Sequence, residues 1–368
     1  MRIMKNIITV AMIMAATAAC AGEQLMNLPS CKKGEKRIAV SPELTWPANP
    51  GDAEVCLWKD DKIAALSITI DDNCKPDHEW WLKLSEELGF KVTWFVITDK
   101  VDKNENSGFV GTWADWQKLA DAGHSIQSHT TNHQSAKTMK RDLTEDELNA
   151  MYKESLATIA AHVKNNRACC IAYPRGEPHR EIVSKYVIAA RGTSGVPDTA
   201  DKIDYLCTNS GGGVATVEML VEGKTEKGPK WLPGKTWLKR GWAVSLYHLV
   251  HHGRTPEEQK ASADKVEADI REIATHKDKL WIGRFEDVAR YGQERDTAKL
   301  DVKVDGDKVS VAVTDDMKDD MFNFPLTVKV RLPDGWKSVK GGTFVEHGGK
   351  PYALVDVVPD RGAVVLAK

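Results

Sequence analysis

Three things are scarce in this chain of 368 residues. The first is an excess of charge of one sign. The formal net charge is −2, so the basic footprint that a nucleic-acid partner requires is missing. The second is a long apolar run. The stretch "IITVAMIMAATAA" near the N-terminus is too short, and too rich in small residues at its end, for a membrane span. The third is the CxxC spacing of a zinc ribbon, which none of the seven cysteines forms.

What is present begins with that N-terminal run. Arg2 and Lys5 precede it, and "ACA" before Gly22 resembles a cleavage site, so residues 1–21 read as an export signal. A lipid anchor at Cys20 is the alternative. Thr17 stands where such a motif usually has leucine, which favours cleavage. The expected location is periplasmic or extracellular. With Cys20 set aside, Cys31, Cys56, Cys74, Cys169, Cys170 and Cys207 remain, an even set for which disulfides are open in an oxidising compartment. Cys169 and Cys170 are neighbours and are not expected to pair with each other.

A hydrophobic content of 42% is ample for a buried core, and more than one domain fits the length. Residues 22–60 are polar and weakly patterned, a lead-in segment. Across 61–296 strand-like and helix-like stretches alternate. "AALSITI", "KVTWFVI", "HSIQSH", "CCIAYP", "WAVSLYH" and "KLWIG" read as strands. Between them "DHEWWLKLSEELG" has helical spacing and a terminal glycine, and "REIVSKYVIAAR" reads as helical. Thr112 with Asp115 and Thr144 with Glu147 are helix-start pairs. Such alternation argues for a parallel sheet with helical crossovers, open or closed into a barrel. Over residues 297–368 the period becomes two, with a hairpin signal at Asp305-Gly306, giving a small antiparallel β domain.

On parallel α/β scaffolds chemistry sits at the C-terminal ends of strands. Four strand ends here carry polar groups: Asp71-Asp72, His129 through His133, Tyr173-Pro174-Arg175, and His248. His129 and His133 stand at i and i+4, so one helical turn would put both imidazoles on one face. Two histidines with a carboxylate form a common ligand set for a catalytic divalent metal. One carboxylate of the Asp pair can then ligate, and the other can act as a general base. His248 at a strand end is a candidate general acid.

In this order these residues resemble the polysaccharide deacetylase family, the NodB-type domain of carbohydrate esterase family four. The segments that carry the likeness are "TIDDN", "HTTNH", "AYPRG", "DKIDY" and "LYH". The resemblance implies a distorted (β/α) barrel and metal-dependent removal of acetyl groups from carbohydrate, with an acetylated glycan as partner. It implies Asp71 as base, with Asp72, His129 and His133 on a divalent metal, often zinc, with cobalt, nickel or iron also compatible. It implies His248 as acid and the Arg175 N–H as an oxyanion donor. Asp204 would support the acid, and Tyr173, Pro174 and Tyr205 would line the substrate site.

The sequence departs from the family pattern at Asn73, where glycine is usual, and at Tyr205, where tryptophan is common. It also has Ala172 where many members have an arginine, and Arg167 and Arg175 are the candidates to replace it. Trp113, Trp116, Trp231, Trp237 and Trp242 are candidates to stack on sugar rings, whereas Trp80 and Trp81 fit a core. A non-catalytic glycan-binding protein on this scaffold, and a hydrolase of C–N bonds in small ureides or imides, are the alternatives.

Overall fold

The computed structural model describes residues 36–103 and 107–368. The stretch read as an export signal, with Cys20, and Cys31 lie outside the described residues.

Strand β1 (Ala53–Val55) comes first, followed by β2 (Ala64–Ile70), β3 (Thr93–Val96), β4 (Ser125–Ser128), β5 (Cys170–Ala172), β6 (Ala189–Arg191), β7 (Trp242–Tyr247) and β8 (Leu280–Ile282). Strands β2 to β8 form one parallel sheet in the order β6-β5-β4-β3-β2-β7. β8 pairs with the first half of β2. β3 pairs with β2 at Thr69 and Ile70, further along the strand. The sheet therefore splays and curls. Irregular backbone joins its two ends: Thr208 bridges to Arg191, and Asp198 bridges to Trp242. The result is a distorted parallel barrel, as the residue pattern and the resemblance lead one to expect.

β2 shows why the sequence does this. All of it is buried. Leu66, Ile68 and Ile70 face one apolar cluster with Trp81, Leu84, Val217 and Ile270. These belong to the covering helices α1 (His78–Leu88), α7 (Val214–Glu222) and α8 (Pro256–Ala274). The alternate residues Ala65, Ser67 and Thr69 face inward, where the barrel leaves little room. Thr69 Oγ1 donates to Ser245 O at 2.7 Å, and Ser67 accepts from the Trp242 indole at 3.2 Å. A strand covered on both faces reads as a continuous apolar run with small polar insertions.

Between β3 and β6 lie α2 (Ser107–Val110), α3 (Trp113–Asp121), α4 (Ala136–Met139), α5 (Glu145–His162) and α6 (Arg180–Val183), and α9 (Phe285–Thr297) follows β8. The expected start signals are present: Thr112 with Asp115 and Thr144 with Glu147 form reciprocal capping boxes. α1 stops at Gly89, which takes φ 70°. One helical expectation fails. "REIVSKYVIAAR" is split into the single turn α6 and strand β6, because Val187 through Arg191 are buried at the sheet edge, where pairing with β5 satisfies their backbone.

The C-terminal region contains β9 (Lys299–Asp305), β10 (Lys308–Thr314), β11 (Leu326–Arg331), β12 (Thr343–His347), β13 (Lys350–Val357) and β14 (Val364–Ala367). They make two antiparallel sheets, ordered β1-β11-β13-β12 and β14-β10-β9. The hairpin turn falls on Gly306-Asp307, between the paired Asp305 and Lys308. The lead-in segment supplies β1, with Ala53 opposite Val330. It also supplies Glu54, 3.3 Å from the wholly buried Lys329, and Asp61 just beyond it meets the same lysine at 2.6 Å.

α9 joins the barrel to these sheets. Its residues Phe285 to Arg295 are all buried, although the sequence is dense in charge. Every charge has been given a partner: Arg284 binds Asp287 at 2.7 Å, Arg290 donates to Met321 O at 2.9 Å, and Arg295 donates to Leu57 O at 2.8 Å. Phe285, Val288 and Tyr291 share one apolar cluster with Val311, Val328 and Val355. Glu294 accepts the Phe324 N–H at 3.0 Å, and burial, with the acid of Asp315 nearby, pushes its carboxyl up to about 9.

That value sets a pH dependence. The folded chain holds a proton on Glu294 that the unfolded chain releases near its ordinary value of about 4.3. Between those limits the native state binds more protons, so stability falls as pH rises. The melting temperature is expected to decline from pH 5 to pH 9, and Glu294→Gln to flatten that decline. Parallel slopes for the two proteins would refute the assignment.

Candidate functional site

The polar strand ends meet at one end of the barrel. Asp71 follows β2, His129 follows β4, Pro174 follows β5 and His248 follows β7. β2 and β7 run in register, with Ile70 beside Tyr247, and the Asp71 N–H donates to Tyr247 O at 2.9 Å. This places Asp71 and His248 on adjacent strand ends. The donor atoms of Asp72, His129 and His133 lie within 4.8 Å of one another. Asp72 Oδ1 is 3.7 Å from His129 Nε2 and 3.8 Å from His133 Nε2, and Asp72 Oδ2 is 3.7 Å from His248 Nε2.

The imidazoles reach this point from a loop, not from the helical turn that their spacing suggests. Thr130 and His133 take φ 71° and 59°, which no α-helix allows. The loop is braced internally: Thr130 N–H donates to Ser128 Oγ at 2.9 Å, and His133 N–H to Thr130 Oγ1 at 3.0 Å. Asp72, Asn73 and Arg175 also have positive φ, at 63°, 65° and 57°. A left-handed non-glycine residue costs on the order of 1–3 kcal/mol and persists where its surroundings over-determine it.

His129 Nδ1 lies 2.9 Å from Ala172 O, a contact that requires the proton on Nδ1 and leaves the Nε2 lone pair facing Asp72. Burial lowers the His129 imidazole below its ordinary value, and burial with the neighbouring His129 lowers His133 to about 4. Both are therefore neutral near pH 7. Asp72 Oδ1 is buried without a hydrogen-bond partner among the described residues. An orphaned carboxylate oxygen facing two neutral imidazoles fits a divalent cation, with these three side chains to hold it.

Asp71 is buried, and burial alone would raise its carboxyl. The Arg191 guanidinium, which donates to Asp71 Oδ2, outweighs that and holds it below the usual carboxylate value. Asp71 Oδ1 accepts no hydrogen bond among the described residues. Arg191 is the direct sheet neighbour of Ala172. The resemblance implies an arginine at the Ala172 position that pairs with Asp204; here Arg180 takes Asp204, and Arg191, from the matching position of β6, pairs with Asp71 instead. Neither sequence candidate fills the role: Arg167 turns to Asp320, and Arg175 is exposed on the turn after Pro174.

Asn73 has a structural reason to replace glycine. It adopts the left-handed conformation that asparagine tolerates. Its buried amide accepts from Ile97 N–H at 2.8 Å and donates to Ile97 O at 3.2 Å, tying the ends of β2 and β3 together. Asp77 does the same for the loop after His248. It is fully buried, accepts the Val250 N–H, and lies 2.6 Å from His251 Nδ1.

Several expectations need correction. Tyr173 is buried with its hydroxyl on Leu206 O at 2.7 Å, and so lines a core rather than a substrate surface. Tyr205 is buried against Gly292 and under the guanidinium of Arg37. Pro174 is also buried, at the start of the turn. Asp204 binds Arg180 at 2.5 Å and 3.0 Å, while the carboxylate beside His248 is that of Asp72. Trp116 and Trp242 are core residues, and Trp113 stacks on His162 at 4.5 Å. Trp231 and Trp237 are exposed, and Trp81 is core as expected. Cys169 and Cys170 are buried thiols that do not pair with each other.

The sequence profile described as polysaccharide deacetylase matches residues 59–190. Those residues belong to the polysaccharide deacetylase family. The match takes in Asp71, Asp72, His129 and His133 and stops one residue before Arg191. The chain is also 38% identical over 371 residues to a gellan lyase from a Bacillus species, a match covering 94% of this chain and 14% of that protein. It therefore spans about one seventh of the relative's length. Among solved structures, it is similar to a family 4 carbohydrate esterase from Streptomyces lividans in complex with acetate. The identity is 15%, with 60% of this chain and 93% of that chain covered and a TM-score of 0.35. It is also similar to a wild-type CE4 family pseudoenzyme from Bacillus anthracis, at 17% identity, 68% and 70% coverage and a TM-score of 0.37.

The Asp71–Arg191 pair has a direct test. Because the Asp71 value is lowered on folding, the pair contributes its stability above the unfolded value of about 3.9 and loses it only as pH falls through the folded value. At pH 7 Arg191→Met leaves a buried carboxylate alone and is expected to cost about 3–5 kcal/mol in denaturant unfolding. Adding Asp71→Asn should recover part of that loss. Strict additivity of the two changes would show that they are not a pair.

Proposed function

We propose that this protein is an exported, metal-dependent deacetylase of an acetylated poly- or oligosaccharide. The observation that carries the reading is the convergence of Asp72, His129 and His133 beside a separately held carboxylate, Asp71, and an open imidazole, His248. A scaffold that only binds glycan has no use for that division of labour. The family match supports acetyl hydrolysis, and the 38% identity to part of a gellan lyase supports a polysaccharide over a small ureide or imide.

Asp72, His129 and His133 would hold the metal, with zinc best suited to one oxygen and two imidazole nitrogens. When bound, the ion supplies Lewis-acid chemistry, polarising the acetyl carbonyl and acidifying water. Asp71 is the general base. Arg191 fixes one of its oxygens, and the unpartnered Oδ1 accepts the proton of the attacking water. Its depressed value keeps it ionised at neutral pH. His248, half exposed on the next strand end, donates a proton to the departing amine or alcohol oxygen. The Arg175 N–H, in a left-handed turn, is the donor toward the developing oxyanion.

The test is acetate release from acetylated glucosamine oligomers and acetylated xylan by the zinc-loaded protein. Activity is expected to vanish with chelator and return with zinc. Asp71→Asn should lower kcat by roughly 10²–10⁴-fold without loss of bound metal. His133→Ala should abolish zinc binding in a calorimetric titration. Absence of acetate release across a broad acetylated-glycan panel, with metal bound, would falsify the reading.

A further inference from the structure

A cavity of about 290 Å³ opens beside Asp72 and His248, and Lys100, Phe109, Val110 and Leu249 form its walls. Two of these are unusual for a surface. Phe109 is 43% exposed, a large flat apolar face left in water. Lys100 is exposed and makes no ion pair among the described residues. Its neighbours on this side of the barrel behave differently: Lys75 binds Asp115 at 3.0 Å and Lys118 binds Glu79 at 2.5 Å. Two acids in this part of the chain have other neighbours among the described residues. Asp102 accepts the Trp113 N–H at 3.2 Å, and Asp72 faces the three imidazoles.

A second cation belongs to the same end of the barrel: Arg175, exposed on the turn after β5, also makes no ion pair among the described residues. The mouth therefore presents an apolar face, Phe109, and a lysine, Lys100, that makes no ion pair among the described residues, beside the proposed reaction centre. A cleft with charge of one sign concentrates ligands of the other. An apolar ring face beside a cation suits a pyranose that carries an acid.

We infer that the substrate is an acetylated glycan containing carboxylated sugars, with Phe109 against a ring face and Lys100 on a uronate carboxylate. The inference rests on the deacetylase reading for its chemistry, but the two stand or fall separately. Lys100 is a specificity residue: it touches the sugar acid and takes no part in proton transfer.

The probes are acetylated oligogalacturonides, the same oligomers methyl-esterified, and oligogalacturonides without acetyl groups. For the zinc-loaded wild-type chain, KM for the free acids is expected to be about tenfold below that for the esters, the scale of one charge-assisted contact. In Lys100→Met that ratio should fall to about one with kcat for the acids kept within a factor of a few, and Lys100→Arg should restore it. Raising the salt should erode the wild-type preference. Calorimetric binding of the unacetylated acids should be weaker in Lys100→Met, a readout that needs no turnover. Equal KM for acids and esters in the wild type, or equal binding of the acids by wild type and Lys100→Met, overturns the inference. Binding that depends on Lys100 with no acetate released from any probe sustains it and counts against the deacetylase reading alone.

Discussion

A carboxylate buried away from water must have a fixed counter-charge, and the layout of this site follows from that requirement at Asp71. Arg191 reaches it from β6 across the curl of the sheet, so β2 and β6 are held in relation by charge as well as by the strands between them. The guanidinium also lies over the Phe95 ring of β3, 5.4 Å from its centre. With one oxygen occupied in this way, Asp71 presents a single free oxygen and a single direction for a proton. Asp72 beside it points to the imidazoles. Two acids that would repel each other side by side are thereby assigned to different neighbours.

Position along the chain was enough to find the four strand ends, because polar groups after apolar strands are legible one residue at a time. The parallel alternation, the capping boxes and the change to period two were legible for the same reason. Arg191 was not. "REIVSKYVIAAR" has helical spacing and good helix formers, and only pairing with β5 turns its end into a strand. The role of Arg191 depends on which strand lies beside β5, which no local pattern encodes. Tyr173 and Tyr205 failed in the opposite sense. Motif position put them near the site, but the side chains turn away into cores that the motif does not describe.

α9 shows a further limit of sequence patterning. Glu286, Asp287, Arg290, Glu294 and Arg295 are the composition of a solvent-facing helix, yet all are buried. The charges are absorbed by one another and by the backbone carbonyls of Leu57 and Met321, while Glu294 keeps its proton and accepts the Phe324 N–H. Helix amphipathicity presumes that water is the alternative to the core. Here the alternative is a second layer of protein, which a single-chain pattern cannot announce.

The placement of β1 bears on how the molecule comes into being. A ribosome delivers Ala53–Val55 early, but their partner Leu326–Arg331 is made only after almost the entire barrel has been synthesised. The inner face of α9 can dock on the barrel at once, whereas its outer face must wait for the same late strands. Contacts this distant along the chain close slowly, since the loop between them must be ordered first. The barrel is thus sealed by strands made after it, and until they arrive it carries an unpaired strand and a charged helix open to whatever else is nearby.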